Sequence, residues 1–185
     1  SPKSYNSQVG VPLSVWQLNN KHTLGIFEAG ISEVGEMNVL REIIKPTIGV
    51  FTSLGTAHDE GFKNISEKLK ENLQLFAQCQ TVIVNALSFK QEHIELLNQH
   101  TFLISKNEKA TLQIIEIENL FTHTIIIAKY NGEQISINIP FADSASVDNA
   151  ITCWAALLHL NIPQQDIEKR MLLLQAVAMR LELKL

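Results

Sequence analysis

Two short stretches put chemistry-competent side chains where a strand should end. Gly25-Ile26-Phe27-Glu28-Ala29-Gly30 is an apolar run closed by a carboxylate and two small residues. A carboxylate there can hold Mg²⁺, a hard cation that prefers oxygen ligands and keeps several waters. The same spacing also serves an ordinary polar strand cap. The second stretch, Phe51-Thr52-Ser53-Leu54-Gly55-Thr56-Ala57-His58-Asp59-Glu60-Gly61-Phe62, runs from β-type residues into a loop of small ones and then an acidic cluster with histidine. His58 can be a metal ligand, a general base or a phosphate contact, with Asp59 and Glu60 orienting it or binding cations. A solvated loop ahead of a helix is the alternative. Gly55 and Gly61 flank the cluster and let backbone approach a ligand closely.

Other motifs are excluded. Gly30-Ile31-Ser32-Glu33-Val34-Gly35 has the glycine spacing of a phosphate loop, but Glu36 and Met37 stand where Lys and then Ser or Thr are needed. Glu33 and Glu36 would repel a phosphate. None of the 8 glycines opens a G-x-x-x-x-G-K-[ST] run, and there is no G-x-S-x-G, C-x-x-C or H-E-x-x-H. His22, His93, His100, His123 and His159 are isolated and read as surface residues.

The elements that must carry these residues alternate. Leu24 to Phe27, Ile48 to Leu54, Thr81 to Val84 and Thr101 to Ser105 read as strands. Val34 to Ile44, Ile65 to Phe76 and Gln91 to Gln99 have helical spacing, the first stopping at Lys45-Pro46. Such alternation predicts an α/β fold, a mainly parallel sheet flanked by helices. Ligands of such sheets bind at the carboxyl ends of the strands. Three β-type runs follow without a helix: Leu112 to Ile117, Thr122 to Tyr130 and Gln134 to Ile139. Asn131-Gly132 between the last two is a hairpin signal, so an antiparallel β meander is expected. Two helices, Ser146 to Leu160 and Pro163 to about Val177, precede a final strand-like run, Leu181 to Leu185.

Composition bounds the rest. The 185 residues suit about one domain, 45% of them hydrophobic and 18% charged, with net charge −4. Mean hydropathy is +0.06 and the sequence pI about 5.9. No basic excess or cluster points to nucleic acid or an anionic membrane surface. No apolar stretch approaches the ~20 residues of a membrane span. The 2 cysteines, Cys79 and Cys153, read as buried small hydrophobes of a chain from a reducing compartment, the cytoplasm. A chain that starts at Ser1, without a signal-peptide pattern, is expected to be processed or part of something longer.

Five stretches, in order, resemble the signatures of the Mur ligases. Asn6 to Pro12 resembles their N-x-x-x-G-x-P segment, and Phe27-Glu28-Ala29-Gly30 their E-x-G strand end. Thr52 to Phe62 resembles their N-x-x-x-x-H-x-[DE]-x-F segment, Asp148-Asn149-Ala150 the opening of N-A-x-A-A, and Met179-Arg180-Leu181-Glu182 their x-R-[FLM]-E. Val11-Pro12-Leu13 and Ala57-His58-Asp59-Glu60-Gly61-Phe62 resemble the branch that adds D-alanyl-D-alanine to UDP-N-acetylmuramoyl tripeptide.

The resemblance implies the central ATP-binding domain of a three-domain cytoplasmic ligase, in some bacteria fused to an alanine racemase. Residues 1–178 would be a partial central domain lacking the upstream phosphate loop. Residues 179–185 would start the linker to a C-terminal domain. ATP and Mg²⁺ are implied, with UDP-N-acetylmuramoyl tripeptide and D-alanyl-D-alanine as substrates and the parent's N- and C-terminal domains as partners. Glu28 and His58 match the family's Mg²⁺ ligands, and His58 with Arg180 would be catalytic. Asn149 matches an adenine contact, and Arg180 also faces the nucleotide phosphates. Asn6 and Gln8 lie where the acyl substrate is contacted. The implied reaction makes an acyl phosphate from the peptide carboxylate and ATP, which the amine of D-alanyl-D-alanine then attacks. One position departs. The family's carbamylated Lys falls at Asn72, which cannot form a carbamate. Lys70 is about 200° away round the helix, and Lys68 is one turn back on roughly the same face. Two other readings share the resemblance: a non-catalytic Mur-ligase-like binding module and a folylpolyglutamate synthetase-type ligase.

Overall fold

A computed structural model of the chain describes residues 5–52, 61–89 and 100–175. The chain divides into two compact units, one of Ser1–Gly49, Leu54–Val82 and Gln91–His100, the other of Val50–Ser53, Ile83–Lys90 and Thr101–Leu185.

Among the described residues the first unit is built on three helices. Helix α1 (Gly10–Trp16) carries Pro12 in its first turn, where a missing N–H costs nothing, and buries Val11 and Ser14. Sequence reading overlooked α1, because a seven-residue apolar run containing proline carries too little periodicity. Helix α2 (Glu36–Ile44) ends as expected at Lys45, which turns left-handed with φ 49° before Pro46. Helix α3 (Ile65–Gln74) starts where the Asn64 side chain accepts from the Glu67 amide at 2.9 Å. Glu67 in turn accepts from the Lys63 amide at 2.7 Å, a reciprocal cap. Val11, Met37 and Leu40 form a buried cluster, with Val15, Ala29, Ile31, Ile44 and Leu75 packed against it.

Among the described residues six strands form one mixed sheet in chain order: β1 (Ile48–Phe51), β2 (Thr81–Asn85), β3 (Thr101–Ser105), β4 (Leu112–Asn119), β5 (Thr124–Tyr130) and β6 (Glu133–Ile139). The α/β class and the attached antiparallel meander are as the sequence predicts. β4, β5 and β6 pair antiparallel, and Tyr130 pairs with Glu133 across a two-residue turn. Asn131 and Gly132 both have positive φ, 50° and 86°, as a type I′ turn requires. β3 and β4 run parallel, yet no helix connects them. The reason is stagger. Only Ile104↔Leu112 and Ser105↔Gln113 pair, so β4 continues forward from the end of β3, one strand position over. The usual crossover is needed only when the chain must return to the start.

Within the second unit, helix α4 (Ser144–His159) buries Val147, Ala150, Ile151, Trp154, Ala155 and Leu158, a stripe at helical spacing. Helix α5 (Gln164–Met171) packs on β6. Trp154, fully buried, donates from Nε1 to Gln164 Oε1 at 2.9 Å, and Gln164 Nε2 donates onward to Ser136 O at 2.7 Å. The indole thus ties α4 to α5, and Gln164 ties α5 to β6. Trp154→Ala should lower stability by about 3–5 kcal/mol, from lost burial plus an orphaned amide. Trp154→Phe should cost about half as much, and urea unfolding of both variants checks this.

Three expectations are corrected. Residues 24–30 do not form a regular strand. Apolar content alone does not make one, and Leu24 and Ile26 are exposed rather than packed in the core. The last helix stops at Met171, not near Val177, because Leu172, Leu173 and Leu174 in succession present no single face to bury and stay solvent-accessible. Cys153 is exposed on α4 and Cys79 is half-buried, so neither is a core hydrophobe. The expected elements Gln91 to Gln99 and Leu181 to Leu185 lie outside the described residues.

Candidate functional site

The first unit brings two of the expected site residues together. Asn6 Nδ2 donates to Glu28 Oε1 at 3.0 Å, and the Gly30 amide donates to the Asn6 carbonyl at 2.7 Å. Two motif glycines make the approach possible. A Cβ on Gly30 would stand 3.2 Å from Asn6 O, and one on Gly10 would stand 2.8 Å from Tyr5 Cβ. The spacing N-x-x-x-G-x-P therefore folds the Asn6 turn onto α1 and onto the segment bearing Glu28. Gln8, between Asn6 and α1 in the chain, has its Nε2 buried without a partner among the described residues.

Glu28 is exposed and has no cationic partner among the described residues. Its carboxylate keeps Oε2 and part of Oε1 open, a hard oxygen donor that fits Mg²⁺ as one ligand of several. Among the described residues no group of three His, Cys, Asp or Glu gathers into a metal site. His58, the other expected ligand, lies outside the described residues, as does Arg180.

The glycine-spaced loop at 30–35 is confirmed as a decoy, for a reason the sequence did not display. Its amides already hold carboxylates. Glu36 Oε2 accepts from the Ser32 and Glu33 amides at 2.6 and 2.9 Å. Glu71 Oε1, on α3, accepts from the Gly35 and Met37 amides at 2.8 and 3.1 Å. The N–H groups that would cradle a phosphate are thus satisfied internally.

Gly61 closes the His58 stretch, and a Cβ there would collide with the Ser32 carbonyl of this same loop. The collision is with backbone, so the loop cannot yield by turning a rotamer. Gly61→Ala should cost about 1–3 kcal/mol, as overpacking does, read as a fall in thermal midpoint. On α3, the slot occupied by Asn72 is engaged locally, with Nδ2 donating to Lys68 O at 2.9 Å. Lys68 is buried and Lys70 exposed, in keeping with their opposite sides of the helix.

In the second unit, Asn149 is exposed in the second turn of α4. The Asp143 side chain caps this helix by accepting from the Ser146 amide at 2.8 Å, and that bond holds its carboxyl below the usual range. The cap's contribution is therefore fully present above the usual carboxylate range and is lost as pH falls through the lowered pKa of the folded chain. Asn85, fully buried at the end of β2, accepts from the Leu87 amide at 3.1 Å and donates to Asp148 O at 3.3 Å. It fixes the turn of α4 from which Asn149 projects. Sequence reading missed Asn85 because one asparagine at a strand end is indistinguishable from a turn residue.

The family model for the Mur ligase middle domain matches residues 1–157. A UDP-N-acetylmuramoyl-tripeptide–D-alanyl-D-alanine ligase of Buchnera aphidicola is 28% identical over 190 residues, covering 96% of this chain and 40% of the relative. The enzyme of that name from Borreliella burgdorferi is 25% identical, covering 89% and 36%. Among solved structures, MurF from Acinetobacter baumannii aligns with TM-score 0.80 at 24% identity, over 94% of this chain and 39% of that one. MurF ligase from Thermotoga maritima in complex with ADP aligns with TM-score 0.77 at 15% identity, over 96% and 42%. At these identities the structural likeness establishes the fold. The chain spans about 40% of the length of these relatives.

Proposed function

Because this chain belongs to the Mur ligase middle-domain family, we propose that it is the central part of an ATP-dependent amide ligase that joins D-alanyl-D-alanine to a UDP-N-acetylmuramoyl tripeptide. The observation that carries this reading is Glu28, an exposed carboxylate braced on one oxygen by Asn6 where the family's E-x-G stands. The names of the curated relatives support the choice of substrates.

In this reading residues 1–178 contribute the central domain and 179–185 the start of a linker, with N- and C-terminal domains supplied by the parent chain in the cytoplasm. Glu28 and His58 would hold Mg²⁺, which when bound neutralises the phosphates of ATP. Asn149 contacts adenine from the exposed face of α4. Arg180 faces the phosphates. Asn6 and Gln8 face the acyl substrate, and the buried Gln8 Nε2 is a donor without a partner among the described residues. No side chain acts as a nucleophile. The peptide carboxylate takes the γ-phosphoryl group, ADP leaves, and the amine displaces phosphate from the acyl phosphate. The protein's contribution is positioning and charge neutralisation.

The test uses the full-length parent with ATP, Mg²⁺, UDP-N-acetylmuramoyl tripeptide and D-alanyl-D-alanine. Phosphate release that depends on both substrates, with a product heavier by one D-alanyl-D-alanine residue pair, supports the ligase. Turnover of a folate with glutamate instead points to the folylpolyglutamate branch. Binding of the nucleotide peptide without ATP hydrolysis points to a non-catalytic module.

A further inference from the structure

We infer that Asn6 is a positioning residue for the Glu28 carboxylate, setting the direction from which that carboxylate meets a divalent cation; this rests on the reading of Glu28 as a cation ligand. Glu28 is exposed, and a glutamate side chain in water samples many rotamers. Here one of its oxygens is fixed. Asn6 Nδ2 reaches Oε1 at 3.0 Å. The orientation of the amide follows from charge, since its oxygen would be repelled by the carboxylate. Asn6 is itself held, because its backbone carbonyl accepts from the Gly30 amide at 2.7 Å, two residues beyond Glu28. Main chain and side chain of one residue therefore clamp the same short segment, and the absence of a Cβ at Gly30 lets them do so.

The chemical type of the brace matters as much as its position. A lysine or arginine at position 6 would fix the carboxylate equally well but cancel the charge a cation needs. A neutral amide fixes geometry and leaves the full negative charge to the ligand. It also leaves Oε2 untouched. The arrangement resembles the outer hydrogen bonds that orient carboxylates in metal sites generally, whose removal weakens metal binding by about 10- to 100-fold.

The experiment measures Mn²⁺ binding to the full-length parent in the presence of ADP, by loss of the free Mn²⁺ electron paramagnetic resonance signal. Asn6→Ala and the near-isosteric Asn6→Leu should each weaken binding by about 10-fold or more. The Mg²⁺ concentration for half-maximal ligation should rise in step, while the rate at saturating Mg²⁺ falls far less. In a Glu28→Gln background, where no carboxylate remains to be aimed, Asn6→Ala should add no further loss. Unchanged Mn²⁺ affinity in the Asn6 variants with weakened affinity in Glu28→Ala overturns the positioning role and leaves the ligand reading standing. Unchanged affinity in Glu28→Ala overturns the ligand reading itself. A raised KM for the nucleotide peptide at unaltered Mn²⁺ affinity makes Asn6 a substrate contact instead. Should both Asn6 variants unfold, the ¹⁵N-labelled side-chain amide of Asn6 in the Glu28→Ala protein, which has no acceptor left, decides: a shifted resonance supports the bond, an unmoved one overturns it.

Discussion

Glu28→Ala in the full-length parent should reduce ligation by about 10²–10³-fold or more, the scale of losing one electrostatic stabiliser of a transition state. The loss should leave stability nearly intact. Glu28 is exposed, its carboxylate bonds the Asn6 side chain, and among the described residues it packs no core. Removing it therefore costs the fold one surface hydrogen bond, about 1 kcal/mol or less. Glu28→Gln separates the two roles a carboxylate could have. It keeps the shape and an acceptor for Asn6 but not the charge. If charge is what the reaction needs, Gln should be almost as damaging as Ala. Steady-state kinetics at saturating ATP, beside a thermal melt, measures both quantities at once. Activity within about threefold of the parent would remove Glu28 from the site.

The second large effect concerns a carboxylate that no motif marks. Glu71→Ala should lower the stability of the chain by about 2–4 kcal/mol, counting one buried and one part-buried amide left without an acceptor. Glu71 is only 7% exposed, and its Oε1 accepts from Gly35 N and Met37 N at the start of α2. A negative group there also faces the positive end of the helix. At about 2–4 °C per kcal/mol for a chain of this size, the midpoint should fall by roughly 5–15 °C. Glu71→Gln retains an acceptor and should cost markedly less. A midpoint for Glu71→Ala within about 2 °C of wild type would mean that water satisfies both amides.

These two glutamates mark what the sequence could and could not disclose. Glu28 was legible because it sits after an apolar run and before small residues, a pattern that depends only on neighbours in the chain. Glu71 was not, because its partners lie 36 and 34 residues away and nothing local distinguishes it from a solvated helix face. The same holds for Asn85, whose partner carbonyl belongs to Asp148. The meander was legible for the opposite reason, since Asn131-Gly132 encodes its register within two residues. Leu24 to Phe27 shows the limit of reading composition. It has the residues of a strand, yet strand formation is decided by pairing that the segment does not carry in itself. The exclusion of a phosphate loop at 30–35 came correctly from Glu36 and the missing lysine. That Glu36 and Glu71 would occupy the amides directly needed the folded chain.

The staggered junction of β3 and β4 has a kinetic consequence. The meander β4–β5–β6 is made of contacts close in sequence, and hairpins closed by short turns form in about 1–10 μs. Joining it to β3 then requires only two residue pairs, Ile104↔Leu112 and Ser105↔Gln113. The meander can therefore mature before the strands synthesised ahead of it have found their neighbours, and afterwards offer β3 a finished edge. Order of assembly is thereby freed from order of synthesis. The slow, non-local part of folding is left to the strands that precede the meander in the chain.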